Sequence, residues 1–509
     1  MQADQKEVVE FFLENRLFVA PDALSLDLDR SLAQTALAAG LMVIGKKEAE
    51  LLESNPDADW GALEHTKAMA EMGLTPENYH AMLRSIGPDS GCCNVNVVST
   101  YTEAAKKRDV QDFVGLFNSR YRAIESILKN RPELQSTVSI NRILSKSDRE
   151  NVALVGLVSD KRETKNNNIL MTVEDPTGEI KVLVSKDKPD LIAQAKEILP
   201  DETIGITGMS GDQIIFANSL LWPDTPLNFK LKKAPEPGYA IFLSDLHVGS
   251  NNFLEDKFNR FLDWINGDVG SKQQREIAKK TKYVFIVGDL VDGVGIYPNQ
   301  QEELSILDIY DQYAECARLL NRIPKHISVI ICAGNHDAVR IAEPQPRIPQ
   351  EFANTLYSSP NIISLSNPSW VNIHSSKDFP GFDVLLYHGY SMDYYVANSD
   401  CIRNQGGYDR PDILMKYLMT RRHLAPTHTS TLYIPERTKD PLVIDKVPDI
   451  FATGHIHKSA ALTYRSITMV CGSCWQSKTS FQEKVGHNPE PGRVPALDLQ
   501  TRELKILRF

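Results

Sequence analysis

Five short polar motifs, each closing an apolar run, carry the residues able to do chemistry in this 509-residue sequence. Tyr239–Leu243 leads into Asp245-Leu-His247, and Tyr283–Val287 leads into Gly288-Asp289-Leu-Val-Asp292-Gly293. Ile327–Cys332 precedes Gly334-Asn335-His336-Asp337, Val384–Tyr387 precedes His388-Gly389, and Ile450–Ala452 precedes Gly454-His455-Ile-His457. In α/β sheets, functional groups gather just past the carboxyl ends of strands. Side chains two apart on an extended backbone point the same way. Asp245 with His247, and His455 with His457, are therefore expected to form two pincers that meet Asp289, Asn335 and His388. Such a mixture of hard oxygen and imidazole nitrogen, without thiolate, suits Mn²⁺, Fe²⁺ or Zn²⁺ better than Ca²⁺. Taken singly, an Asp-x-His or His-x-His is more often an ordinary polar pair than a ligand set. Five such motifs in order, each ending an apolar run, point to a metal centre.

The elements that must position these groups divide the chain into four regions. Residues 1–75 carry apolar residues at helical spacing (Val8, Val9, Phe11, Phe12, Leu17, then Leu32, Ala36, Leu37, Leu41) and read as a small helical N-terminal domain. Residues 76–134 read as a linker, with the turn signal Gly87-Pro-Asp-Ser-Gly91, followed by a helix over Val110–Lys129. Over 135–230 the period shifts toward two. Five short strands, with a hairpin around Asp175-Pro-Thr-Gly178, predict a small β-barrel of OB-fold type. Phe216 and Trp222 are nearly its only aromatics, which favours a scaffolding barrel over one that grips single strands. A proline-punctuated linker, Pro223 to Pro237, precedes a C-terminal α/β domain within 231–509. The fold class is thus multidomain α+β.

Composition narrows the class. The hydrophobic share of 42% and charged share of 24% are those of a globular protein. Neither a secretory leader nor a membrane-spanning run is visible, so an intracellular protein with no membrane partner is expected. Seven scattered cysteines make no disulfide framework, and the Cys471-Gly-Ser-Cys474 pair supplies only half of a structural zinc site. A net charge of −10 excludes a chain coated in basic residues, although bound divalent cations would reverse the local field.

The series DLH, GDLVD, GNHD, HG and GHIH resembles the calcineurin-like metallophosphoesterases. That resemblance implies one metal held by Asp245, His247, Asp289 and His457, and a second held by Asp289, Asn335, His388 and His455. Asp289 would bridge two divalent ions, with Mn²⁺ expected first and Fe²⁺ or Zn²⁺ as alternatives. His336 would be the catalytic histidine, oriented through its ring nitrogen by Asp292. Paired cations activate water and neutralise the phosphoryl group during in-line attack. Gly293 stands where the Ser/Thr protein phosphatases carry an arginine, and Asp337 where they carry Glu; both count against a protein phosphatase.

Outside the motifs, the segments 117–134, 419–428, 475–484 and 491–495 closely resemble the small subunits of archaeal family D DNA polymerases. The resemblance is weakest over the first 75 residues. It implies a 3′→5′ proofreading exonuclease acting on DNA with a 3′ end and partnered by a large catalytic polymerase subunit. That partner is expected on the barrel and on the outer face of the phosphoesterase domain. A sliding clamp is a further candidate partner, although no clamp-binding motif stands out. Basic residues (Arg421, Arg422, His423, His428, Arg437, Lys439, Lys446) concentrate before the GHIH motif. Arg421, Arg422, Arg437 and Lys478 are candidate DNA-backbone contacts, with Arg493 weaker; a solvated loop or an interface explains the same residues equally well. Two rival functions remain: a catalytically silent scaffold subunit, and a stand-alone phosphodiesterase for small esters.

Overall fold

The computed structural model describes residues 94–509, apart from 103–105, 147, 480–481 and 484–485. The chain divides into two compact units, Met1–Ser90 and Gly91–Phe509. In the first, only a parallel strand pair, Phe18–Val19 with Val43–Ile44, is described. The helical domain expected over 1–75 and the turn at 87–91 otherwise lie outside the described residues. Among the described residues, no helix is long and apolar enough to cross a membrane.

The second unit is built from a barrel and two stacked sheets. Its first strand, β1 (Val95–Ser99), precedes the barrel strands β2 (Asn151–Glu163), β3 (Ile169–Asp175), β4 (Gly178–Val184), β5 (Thr203–Ser210) and β6 (Ile214–Leu221). The barrel closes in the order β2-β3-β4-β6-β5. Its one parallel contact, β4 with β6, is made possible by the intervening helix Pro189–Glu197. β2 is long enough to pair with both β3 and β5, and a bulge between Val158 and Asp160 bends it from one partner to the other. Alternate residues, among them Leu154, Val158, Met171, Val173, Val182, Ile204, Ile206 and Ile215, fill the interior.

The C-terminal domain stacks two six-stranded sheets. The first contains β7 (Tyr239–Leu243), β8 (Thr281–Val287), β9 (Ser328–Cys332), β10 (Ile362–Leu365), β16 (Arg493–Asp498) and β17 (Leu504–Arg508), ordered β10-β9-β8-β7-β16-β17. The second contains β11 (Ser369–Ile373), β12 (Phe382–Tyr387), β13 (Ile450–Thr453), β14 (Ala460–Tyr464) and β15 (Ile467–Cys471), ordered β14-β15-β13-β12-β11-β1. Strands such as β7, β8, β9 and β12 are buried on both faces, which is why they read as unbroken apolar runs. Within β7, Ala240 and Phe242 face the space between the sheets, whereas Tyr239, Ile241 and Leu243 pack under the helices that cover the first sheet. Helices including Pro411–Arg421 cover the second sheet.

Two expectations need correction. The segment before the barrel is no mere linker, because β1 adds an edge strand antiparallel to β11. The proline-rich stretch at 223–237 is likewise anchored. Asp224 receives hydrogen bonds from Tyr464 Oη at 2.8 Å and pairs with Arg465 at 2.9 Å, while Lys232 pairs with Asp449 at 2.7 Å. The helix expected over Val110–Lys129 is present as Val110–Leu128, started by an Asp109 capping box. It lies between the barrel and the C-terminal domain: Tyr121 Oη donates to the Val155 carbonyl at 3.0 Å, and Arg120 meets Asp440 at 2.6 Å.

Candidate metal centre

All five motifs meet at the carboxyl ends of β7, β8, β9, β12 and β13. Donor atoms of Asp245, His247 and His457 lie within 4.8 Å of one another, as do those of Asp289, His388 and His455. Asp289 stands between the two groups: its Oδ2 is 3.2 Å from His388 Nε2 and 3.9 Å from His247 Nε2. Asn335 Oδ1 reaches His388 Nε2 at 3.0 Å, and Asp245 Oδ1 lies 3.3 Å from His457 Nε2. Seven sequence-distant side chains thus converge as expected.

The backbone that brings them there is not the extended one assumed for the pincers. Asp245, His247, Asp289, His455 and His457 have φ of +52°, +51°, +51°, +67° and +54°. Non-glycine residues avoid this left-handed region, at a cost of roughly 1–2 kcal/mol each, and its clustering marks a functional site. Hydrogen bonds between the loops hold the conformation. Asp245 N–H donates to the Gly288 carbonyl at 3.0 Å, His247 N–H to the Asp289 carbonyl at 3.1 Å, and His455 N–H to Asp245 Oδ2 at 2.9 Å. Close approach also demands glycine at 334, where a Cβ would sit 2.2 Å from Asp289 Oδ1.

Neighbours outside the motifs aim the rings. His388 Nδ1 bonds to the Val287 carbonyl at 2.8 Å, which places the proton on Nδ1 and turns Nε2 inward. His247 Nδ1 is held by Asp292 Oδ1 at 3.0 Å, and His457 Nδ1 lies 2.9 Å from Gln482 Nε2. His455 Nε2 is taken by Asp393 at 3.0 Å, leaving Nδ1 for the centre. His336 Nδ1 meets the Asp292 backbone carbonyl at 2.8 Å. The expected role of Asp292 therefore changes. Its carbonyl orients His336, while its carboxylate serves His247 and is itself fixed by Gln300 and Gln476, each at 3.0 Å. Asp393, Gln300, Gln476 and Gln482 escaped the sequence reading because none belongs to a spaced motif. Asp337 is a brace, accepting from Gly334 N–H at 2.8 Å and Tyr313 Oη at 3.0 Å.

The electrostatics are those of a cation site. Burial opposes ionisation of Asp289, yet His388 and His336 beside it hold its carboxyl well below the usual range. Burial also opposes Asp245, and His457 outweighs it. His388 responds in kind: burial lowers it, but Asp289 and Asp245 push it up to about 10. Burial lowers His336, against the pull of Asp289. Asp337 is pushed up to about 7 by burial and by the Asp289 charge. Among the described residues, only imidazoles stand within ion-pair distance of Asp245 and Asp289. Two fully buried carboxylates with imidazole and amide donors, and no lysine or arginine to balance them, fit divalent cations.

The basic residues resolve differently. Arg421 is 6% exposed, pairs with Glu202 of the barrel at 3.3 Å, and lies flat against Tyr417 and Trp222. Arg422 is 3% exposed and donates to the Ile444 carbonyl at 2.7 Å. His423 is buried against Asp440. Arg421 ties the barrel to the C-terminal domain, while Arg422 and His423 bond within that domain, so burial rules out the DNA-backbone contact expected for Arg421 and Arg422. Arg437 is exposed but engages Asp112 at 3.2 Å and Asp109 at 3.4 Å. Lys439 and Lys446 pair with Asp445 and Asp383, and Arg493 with Glu490. Lys478 is exposed, bonded to Asn488 at 3.0 Å. Cys471 and Cys474 are buried free thiols, the former pushed up to about 12 by burial.

Comparison with known proteins agrees with this geometry. The calcineurin-like phosphoesterase family matches residues 240–459. The DNA polymerase II small subunit of Methanothermobacter thermautotrophicus is 38% identical over 401 residues, covering 79% of this chain and 80% of that protein. The corresponding protein of Archaeoglobus fulgidus is 37% identical, with 83% and 82% covered. That of Pyrococcus furiosus is 38% identical over 79% of this chain, which spans 64% of the Pyrococcus protein. Among solved structures, an archaeal phosphodiesterase aligns with 53% of this chain and 99% of its own at 10% identity, with a TM-score of 0.26, too loose to bear on function.

Proposed function

We propose, since this chain belongs to the DNA polymerase II small-subunit family of archaeal family D polymerases, that it is the proofreading 3′→5′ exonuclease subunit of such an enzyme. The observation that carries this reading is the complete ligand set: Asp245, His247, Asp289, Asn335, His388, His455 and His457 all reach one centre. A scaffold would have no reason to keep five non-glycine residues in left-handed backbone around two buried carboxylates.

Asp245, His247, Asp289 and His457 would hold one divalent ion, and Asp289, Asn335, His388 and His455 the other, with Mn²⁺ as the expected metal. Such a pair supplies Lewis-acid neutralisation of the phosphoryl group and activation of water. The remaining work falls to the chain. The Asp292 carbonyl accepts from His336 Nδ1, leaving Nε2 as the atom that can take up a proton released by the attacking water and pass it to the leaving 3′ oxygen. Loops braced by Asp337 keep the ligand groups from relaxing.

The large polymerase subunit is the expected partner.

The decisive experiment is digestion of a 3′-mismatched primer-template with Mn²⁺, beside a His336→Ala control. Stepwise release of the mismatched nucleotide should fall about 10²-fold or more in the variant. No release, even with the large subunit added, would leave the scaffold role or hydrolysis of another ester as the function.

A further inference from the structure

A cavity of about 690 Å³ lies on the far side of Asp393 and Tyr390, the two residues of its lining that touch His455 of the Asp289–His388–His455 cluster. Asp393, which holds His455 Nε2, lines this cavity, as does Tyr390, whose ring centre lies 5.7 Å from the His455 ring. Half of the remaining wall is aromatic, and the other half is the hydroxyl and aliphatic run Thr429, Ser430, Thr431 and Leu432. Tyr394 and Phe113 contribute to it, and His428 lies on Tyr433 with the rings 4° from parallel and 5.4 Å apart.

These rings are held in place from behind. Tyr433 Oη donates to the Ala425 carbonyl at 2.5 Å and the Thr427 carbonyl at 3.1 Å, and the Arg120 guanidinium sits 5.1 Å from its ring centre. The backbone N–H of His428 donates to Asp201 Oδ2 at 2.9 Å, which anchors the loop that carries the ring. An aromatic wall fixed in this way loses little freedom on receiving a flat ligand.

The chemistry of the lining selects that ligand. No lysine or arginine is among the described residues of the wall, and its one carboxylate is engaged by His455. A phosphate would find no cation there. A planar, uncharged π-system could stack on the rings of Tyr394 and His428, the latter already backed by Tyr433. A base is joined to its phosphate by a single sugar, so a base pocket serving a phosphodiester must adjoin the metal cluster, as this one does. We propose that the cavity seats the nucleobase of the unpaired 3′-terminal region, stacked against Tyr394 and the His428–Tyr433 pair while the neighbouring phosphodiester lies at the metal centre. This rests on the reading of the centre as a DNA nuclease. It also gives that nuclease its preference. A base in a duplex must unstack and unpair to enter, which costs least at a mismatched end.

The test is cleavage by the full chain, with Mn²⁺, of a single-stranded oligonucleotide and of the same strand with abasic residues at its two 3′-terminal positions. Wild type, Tyr394→Ala, Tyr394→Phe and His428→Ala are compared. Removing the bases should raise the wild-type KM by about 5- to 150-fold, the range spanned by base–aromatic stacking. Tyr394→Ala should raise KM for the natural strand and shrink the penalty for the abasic one, whereas Tyr394→Phe, which keeps the ring, should discriminate like wild type. His428→Ala should also discriminate less, and it decides the matter if Tyr394→Ala fails to fold. Equal cleavage of both strands by wild type, or undiminished discrimination in both alanine variants, overturns the base pocket while leaving the nuclease reading intact. Cleavage of neither strand by wild type, even with the large polymerase subunit added, overturns both.

Discussion

At His455 the ring nitrogen Nε2 belongs to Asp393 and only Nδ1 can face the metal centre, so the ligand is aimed by a residue outside every motif. Replacing such a hydrogen-bond partner typically costs 10- to 100-fold in metal affinity. Asp393→Ala should accordingly weaken Mn²⁺ binding by about that factor, measured by calorimetry without DNA so that the adjoining cavity plays no part. Unchanged affinity would mean that His455 needs no such guide. Asp292 teaches the complementary point. Its backbone carbonyl serves His336 and its carboxylate serves His247, so Asp292→Asn should disturb metal binding while leaving the His336 contact in place.

The strand–loop junctions do their work by close approach. A methyl at residue 334 would meet Asp289 Oδ1 at 2.2 Å and the Asp289 nitrogen at 2.5 Å, and the second of these is backbone that cannot swing aside. Gly334→Ala should therefore cost about 1–3 kcal/mol, as overpacking of a tight site does, and should displace the bridging carboxylate. Urea unfolding reads the first effect and metal content the second. A variant with full stability and full metal content would show that the loops have slack.

Across the described molecule from residue 94 onward, barrel, connecting helix and C-terminal domain are joined by buried charges. Arg120 with Asp440, and Arg421 with Glu202, are almost wholly enclosed. Breaking one member of a buried pair strands the other, typically at 3–5 kcal/mol. Arg120→Ala should lose about that much stability in denaturant titration. Arg421→Ala should be destabilised too, while the salt dependence of DNA binding by its folded fraction stays that of wild type, since Arg421 contacts no phosphate. The same junction sets an acid limit. Burial, reinforced by Arg120, pushes His423 down to about 4, against about 6.5 in an unfolded chain. The unfolded state thus takes up the proton first as pH falls. Stability from the neutral ring is complete above about pH 6.5 and is lost progressively toward pH 4, by roughly 3 kcal/mol in all. His423→Gln should show a shallower loss across that window in unfolding midpoints. An identical slope would place the acid sensitivity elsewhere.

What the sequence alone determined was the local order: apolar runs buried on both faces, polar motifs at their ends, the five barrel strands and the helix after Asp109. These depend on neighbours a few residues apart, and the period of the pattern records them. The seven candidate ligand residues were legible for the same reason, since each sits where a strand must stop. Only the tertiary structure decided what the basic cluster does. Arg421, Arg422 and His423 look like a DNA-binding stretch until the barrel supplies Glu202 and the helix supplies Arg120 beside Asp440. Burial of a charge is settled by residues hundreds of positions away, which no spacing rule reaches. The strand role of Val95–Ser99, the aim of Asp393 and the aromatic cavity beside His455 belong to the same class. Each exists only once distant segments are brought into van der Waals and hydrogen-bonding range.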